Sequence, residues 1–367
     1  MKKVLFILHL PPPVHGSSMV GQSIKNSRLI NTSFDCSYIN LLVSRKINET
    51  GKFSFLKIIR FVGVWYELLL NILKKKPEAC YLAVSTTGLS FYKDVLLVLW
   101  LRLFKIKRIY HLHNKGVSYN DKNKINKLLY KFVFKDACVI LLSKKLYPDI
   151  KHFVPVSQVY ICPNGIDNLI VEPRIYLKDK SPVNILFLSN LIESKGVSTL
   201  LDACAILQEK ELEFECSFVG AEGDINITQF NDKVLEHKIA NCVTYLGRKF
   251  GKEKQAEFAR ADIFAFPTYY SNECFPLVIL EAMSTGLPVV STFEGGIPDI
   301  VDNAITGFLV PQRDIEALAA KLEVLIRDTE LRKKQGEAGK LKFEKEFTLE
   351  RFEHRLMEIL QLIIAQP

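Results

Sequence analysis

Nowhere in the 367 residues does an apolar run approach the ~20 needed to cross a membrane. The longest candidate, Val95 to Leu101, stops at Arg102. Lys2-Lys3 followed by Val4 to Leu8 imitates a signal peptide, but the run is too short and ends in His9 and three prolines, so it is expected to be a first strand. There is no Cys-x-x-Cys among the eight cysteines and no close histidine partner for any of them. That argues against a zinc site and for free thiols in a reducing compartment. No Gly-x-Gly-x-x-Gly follows a strand with an acidic residue about twenty positions on, which disfavours an NAD oxidoreductase. No Asp-x-Asp metal motif occurs either, so the expectation is no cofactor and no metal. Internal repeats and low-complexity tracts are also missing.

What is present is ordinary globular material, 48% hydrophobic and 24% charged, long enough for two domains with a core each. Its charge is lopsided. Residues 1–168 hold 26 basic against 9 acidic side chains, +17, whereas 169–367 carry −8. A basic half suits an anionic partner such as lipid headgroups, a polyprenyl diphosphate or nucleic acid. The basic residues are spread through helices rather than interleaved with stacking aromatics, so no nucleic acid is expected. Peripheral contact with an anionic membrane is the favoured reading, and a merely solvated basic face stays open beside it.

The stretch Asp262 to Val301 organises the chain. A short apolar strand, Ile263 to Phe266, runs into a polar loop, Tyr269 to Glu273. A helix over Pro276 to Ser284 follows, then a Gly286-Leu287-Pro288 break and a strand at Val289-Val290. This strand–loop–helix–loop–strand order implies a parallel sheet. A helix N-terminus offers unpaired N–H groups and the positive dipole end to an anion. Glu273 stands just before that terminus and Glu281 about two turns along, each suited to accept sugar hydroxyl protons. The blander alternative makes Glu273 a helix cap and Glu281 a solvated helix residue.

Glu273, Phe275-Pro276-Leu277, Glu281-Ala282-Met283, Gly286-Leu287-Pro288-Val289-Val290 and Gly295-Gly296-Ile297-Pro298 together resemble the nucleotide-binding signature of retaining family 4 glycosyltransferases of the GT-B fold. The resemblance implies two Rossmann-like α/β domains facing across a cleft. They would be 1–168 on the acceptor side and 169–346 holding the nucleotide-sugar, with a C-terminal helix, 347–367, returning to the first domain.

Matches continue along the chain. Pro11 to Ser18 contains His15-Gly16, as in a His-Gly sub-group of bacterial surface-polysaccharide type. Gly16 would face the donor diphosphate, with Ser17-Ser18 capping a helix from Met19. A second strand is expected over Ser37 to Val43. From Phe53 to Lys76 the pattern predicts a helix apolar nearly all round, which fits burial or a membrane-apposed face. Strands follow over Ala79 to Val84, Arg108 onward and Val139 to Ser143, with a helix over Phe91 to Leu103. Alternation sets His111 and His113 on one face. His113 best matches the family histidine near the donor sugar. YICPNGID, Tyr160 to Asp167, resembles the interdomain segment.

The second half restarts at Val183 to Leu188. Where the family reads Gly-Arg-Leu, this chain has Ser189-Asn190-Leu191, followed by the usual Lys195-Gly196. One cation on the leaving diphosphate is therefore absent at Asn190. Gly220 and Arg248 lie where the family holds its nucleotide, as do Phe275, Leu277 and Val278. The implied activity moves a sugar from a UDP- or GDP-sugar to a hydroxyl of a glycan or lipid-linked acceptor with retained configuration. It would work in the cytoplasm or peripherally on the inner membrane face. His113, Lys195 and Glu273 carry the catalysis in this reading. A non-catalytic GT-B subunit is the alternative, and a sugar-nucleotide epimerase would need further acid/base carboxylates.

Overall fold

The computed structural model describes residues 1–12, 14–41, 55–169 and 182–366, and divides into two compact units. One is Met1–Gly165 with Leu349–Pro367, the other Ile166–Thr348.

In the first unit the apolar runs become six parallel strands: β1 Lys3–Leu8, β2 Asp35–Asn40, β3 Ala79–Leu82, β4 Lys107–Leu112, β5 Cys138–Leu141 and β6 Val159–Ile161. Their spatial order is β2-β1-β3-β4-β5-β6, with Val4 beside both Cys36 and Ala79. Strands this apolar need cover on both faces, which crossover helices provide. Helices Phe55–Lys75, Gly88–Leu103 and Lys124–Phe134 make the β2–β3, β3–β4 and β4–β5 crossovers. All three crossovers step the same way along the sheet, so right-handedness puts them on one face. Helix Gly16–Asn26 steps the other way and lies on the opposite face. The C-terminal helix Leu349–Ala365 packs against Arg28–Ser33, and Lys107 Nζ donates to the Ile363 carbonyl at 3.1 Å.

The second unit has β7 Val183–Leu188, β8 Phe214–Val219, β9 Val243–Tyr245, β10 Ile263–Phe266, β11 Val289–Thr292 and β12 Gly307–Val310, again all parallel. The order β12-β11-β10-β7-β8-β9 is that of a dinucleotide-binding sheet. Phe187, Phe218, Phe264 and Phe266 fill its core. Chain order reverses between β1 and β3 in the first unit and between β7 and β10 in the second. Open α/β sheets bind their ligands outside the carboxyl ends of the strands at such reversals.

Several expected boundaries move for local reasons. The first helix starts at Gly16, not Met19, because His15 is its cap. The His15 imidazole accepts from the Ser18 amide while the His15 amide donates to Ser18 Oγ. That is a capping box with Ser18 as its inner member, replacing the expected Ser17-Ser18 cap. β5 stops at Leu141 because Ser143 Oγ accepts from Lys145 N and starts a 3-10 turn. The helix expected from Phe91 starts at Gly88. Pro13, Leu42, Val43, Phe53, Ser54 and the start of the expected second domain at 170–181 lie outside the described residues, as do the side chains of Phe55, Ile58 and Ile59.

Candidate functional site

In the second unit, the loops after β7 and β10 meet at the switch point. The Tyr269 amide donates to the Ser194 carbonyl at 2.8 Å and the Tyr269 hydroxyl to Glu193 at 3.0 Å. Gly196 has φ +92°, and a β-carbon there would overlap the Pro267 carbonyl. Only glycine allows both the left-handed turn and that approach. The result sets Lys195 Nζ 2.5 Å from Glu273 Oε2 and 4.5 Å from the centre of the Tyr270 ring. Both side chains of the pair are mostly buried. Glu273 is itself held from behind. A β-carbon on Gly295 would overlap the Glu273 carbonyl, and Gly296 N donates to the Cys274 carbonyl at 2.8 Å. The glycine pair at 295–296 thus seats the carboxylate loop.

Helix Leu277–Ser284 starts immediately beyond, and its cap, Pro276, supplies no side-chain acceptor. The Glu273 carboxylate does not cap it, being committed to Lys195. The first-turn amides of Leu277 and Val278 therefore remain for an anion. Phe275 is buried against the Phe347 ring. Glu281 is not the solvated residue that the blander reading made it. Its Oε1 accepts from Lys254 Nζ at 2.6 Å, and its Oε2 is buried without a hydrogen-bond partner among the described residues. A buried, unpaired carboxylate oxygen is costly, and a ligand donor would relieve it.

Asn190 Oδ1 accepts from the Ala221 amide at 3.2 Å, so the side chain braces the loop after β8. Gly220 is pressed against the Ser189 carbonyl, and its own carbonyl accepts from the Tyr245 hydroxyl at 2.8 Å. Arg248 is exposed after β9 and stacks on Phe250 at 4.4 Å.

The first unit gathers histidines at its own switch point. His111 and His113 do share a side, with ring centres 4.3 Å apart. His9, at the end of β1, and His15 lie 6.1 Å apart by the same measure. Tyr81 hydroxyl and His111 Nδ1 are 2.5 Å apart, and both residues are buried. Burial, then the neighbouring His15, pushes His113 down to about 4. His9 falls to about 3, by burial first and then by Lys93, His15 and His113. Burial holds His111 well below the usual histidine range. The rings are therefore neutral at physiological pH. Among the described residues, no group of three or more His, Cys, Asp or Glu is placed to hold a metal ion. Nothing described comes within 4 Å of a β-carbon built on Gly16, so its backbone is open.

Residues 171–342 match the family described as "Glycosyl transferases group 1". That segment is a group 1 glycosyl transferase domain. The chain is 28% identical over 343 residues to the amylovoran biosynthesis glycosyltransferase AmsK of Erwinia amylovora, covering 87% of this chain and 80% of that one. Among solved structures, a sucrose-phosphate synthase from Thermosynechococcus elongatus superimposes with TM-score 0.76 at 18% identity over the full length of both. HepE of Anabaena, in complex with UDP-glucose, superimposes with TM-score 0.75 at 17% identity over 98% of this chain and all of that one. These likenesses give the chain the GT-B fold.

Within the group 1 domain, Lys195, Glu273 and the helix at Leu277 come together as one cluster, and Glu281 lies further along the same helix. Gly220 and Arg248 sit on neighbouring loops of the same sheet edge. Lys254 escaped the sequence reading because no spacing links it to Glu281; only the packing of two helices does. In the other unit, His9 stands after β1 as His113 stands after β4, a parallel that the sequence does display.

Proposed function

We propose that the chain transfers a sugar from a UDP- or GDP-sugar to a hydroxyl of a lipid-linked glycan in polysaccharide assembly, with retention of configuration. The observation that carries this is the Lys195–Glu273 pair beside the uncapped amides of Leu277 and Val278. The amylovoran role in the name of AmsK and the UDP-glucose in the HepE complex support the same reading.

Breaking the anomeric C–O bond loads negative charge onto the departing diphosphate, and preorganised donors lower that barrier. Lys195 exchanges the Glu273 carboxylate for the more highly charged diphosphate. Release of Lys195 frees Glu273 to accept hydroxyls of the donor sugar. The first-turn amides receive phosphate oxygens, and Glu281 Oε2 receives a ribose hydroxyl. Arg248 and the Gly220 loop are assigned to the nucleotide, and Asn190 offers its amide where the family has a cation. Gly16 and the neutral His113 are assigned, on the resemblance, to the diphosphate and the region of the anomeric centre. The charge is carried by protein groups, so no metal is required, and the enzyme works on the cytoplasmic side.

Asn190 motivates one rival, a non-catalytic subunit that only binds nucleotide. Purified chain assayed for donor hydrolysis and transfer with UDP-, GDP- and ADP-sugars, with and without EDTA, separates them. Turnover unaffected by EDTA is expected; nucleotide binding with no turnover of any donor would select the rival.

A further inference from the structure

The three crossover helices on one face of the first sheet leave an apolar surface uncovered by any described element. Between Phe61, Val62 and Trp65 on one helix and Leu96, Leu99 and Trp100 on the next lies a groove of about 580 Å³. The two tryptophan rings meet edge-on, 5.2 Å between centres. Val62, Leu96 and Leu99 are each about half exposed, and Leu128 on the third helix is 68% exposed. An apolar face of this extent on a crossover helix is unusual, because water gains by its burial.

Its charge names the occupant. The three helices hold nine lysines and arginines against two carboxylates, Glu67 and Asp94, and Asp94 is fully buried. Lys74, Lys75, Lys124, Lys127 and Lys131 are exposed. A protein partner of ordinary composition would not match so one-sided a field. A bilayer matches both features, with hydrocarbon for the groove and anionic headgroups for the lysines.

We propose that this three-helix face docks on an anionic lipid bilayer, with acyl chains entering the groove between Trp65 and Trp100. The inference stands on this surface alone and not on the donor site. It would keep a membrane-borne acceptor near the enzyme.

Co-sedimentation of the full chain with phosphatidylcholine vesicles, with and without phosphatidylglycerol, tests it. Binding should need the anionic lipid and weaken with salt, which screens charges beyond ~8 Å at physiological strength. Replacing Lys74, Lys75, Lys127 and Lys131 by glutamine should weaken binding about five-fold per lysine. Val62→Ser with Leu96→Ser and Leu99→Ser should abolish binding even at low salt, and these exposed positions spare the core. UDP affinity, measured on the same variants, should not change, which keeps this test separate from the donor assignment. Wild-type chain that ignores anionic vesicles at low salt overturns the proposal. So does a concentration-dependent dimer in sedimentation velocity that the triple serine variant dissolves, since a second copy would then own the face.

Discussion

At the scale of single residues, the site is a set of charges waiting for other partners. Glu281 shows this most sharply, with one oxygen on Lys254 and the other buried and unpaired among the described residues. Hydrogen bonds to a charged group contribute roughly 1.5–3 kcal/mol, so Glu281→Gln is expected to weaken nucleotide binding about ten-fold or more without unfolding the chain. Calorimetry with UDP and GDP checks it, and an unchanged Kd would remove Glu281 from the site. Lys195→Ala should cut transfer by well over ten-fold, a loss above ~1.4 kcal/mol of barrier. It also strands Glu273, so a melting curve must accompany the rate: breaking a buried pair costs about 3–5 kcal/mol. Asn190→Arg, restoring the usual cation, should leave the rate equal or higher. The histidines make a prediction about pH. With His113 at about 4 when folded against 6.5 unfolded, the unfolded chain binds the extra proton between those values. Stability from His113 is then complete above pH 6.5, falls as pH drops towards 4, and changes no further below that. His113→Gln should flatten the dependence of Tm on pH in that window. An unaltered slope would mean the imidazole is no more buried than in the unfolded chain.

At the scale of elements, the decisive pieces are loops that glycine lets press together. Gly196 and Gly295 bring backbone against backbone behind Lys195 and Glu273. Gly196→Ala must adopt φ +92° and clear the Pro267 carbonyl, so a loss of about 2 kcal/mol or more is expected, together with reduced donor binding. Gly63→Ala is the control. It sits mid-helix with nothing within 4 Å of a β-carbon among the described residues, and should gain about 0.5–1 kcal/mol. Chemical denaturation of both variants reads the contrast. Equal behaviour would mean that the tight loop contact does not hold the site. The first helix teaches a related lesson. It starts three residues before Met19, the start that a serine cap implies, because the His15 ring is the cap and draws Ser18 inside the first turn.

At the scale of the whole molecule, the donor assignment predicts a ligand effect on stability. A nucleotide at about 100 times its Kd should stabilise the chain by ~2.7 kcal/mol. A thermal-shift series with UDP, GDP and ADP should single out one base, and no shift with any of them would sink the donor site. Much of the fold was legible beforehand. Period and composition alone place parallel strands at Val183–Leu188 and Ile263–Phe266, because strands buried on both faces must be apolar throughout. The basic first half and the carboxylates at 273 and 281 are likewise properties of the chain as written. Other features had no local signature. The Lys195–Glu273 contact joins residues 78 positions apart, and Lys254 finds Glu281 only when two helices pack. The apolar pattern of Phe55–Lys75 makes burial against the sheet the default, with a membrane-apposed face as the alternative. Periodicity states which side chains share a helix, whereas the handedness of three successive crossovers states which face of that helix is left to solvent. The sequence by itself thus determined the elements and the chemical groups available. Tertiary structure decided which groups meet and which apolar face stays open, since both depend on contacts between segments that no local spacing encodes.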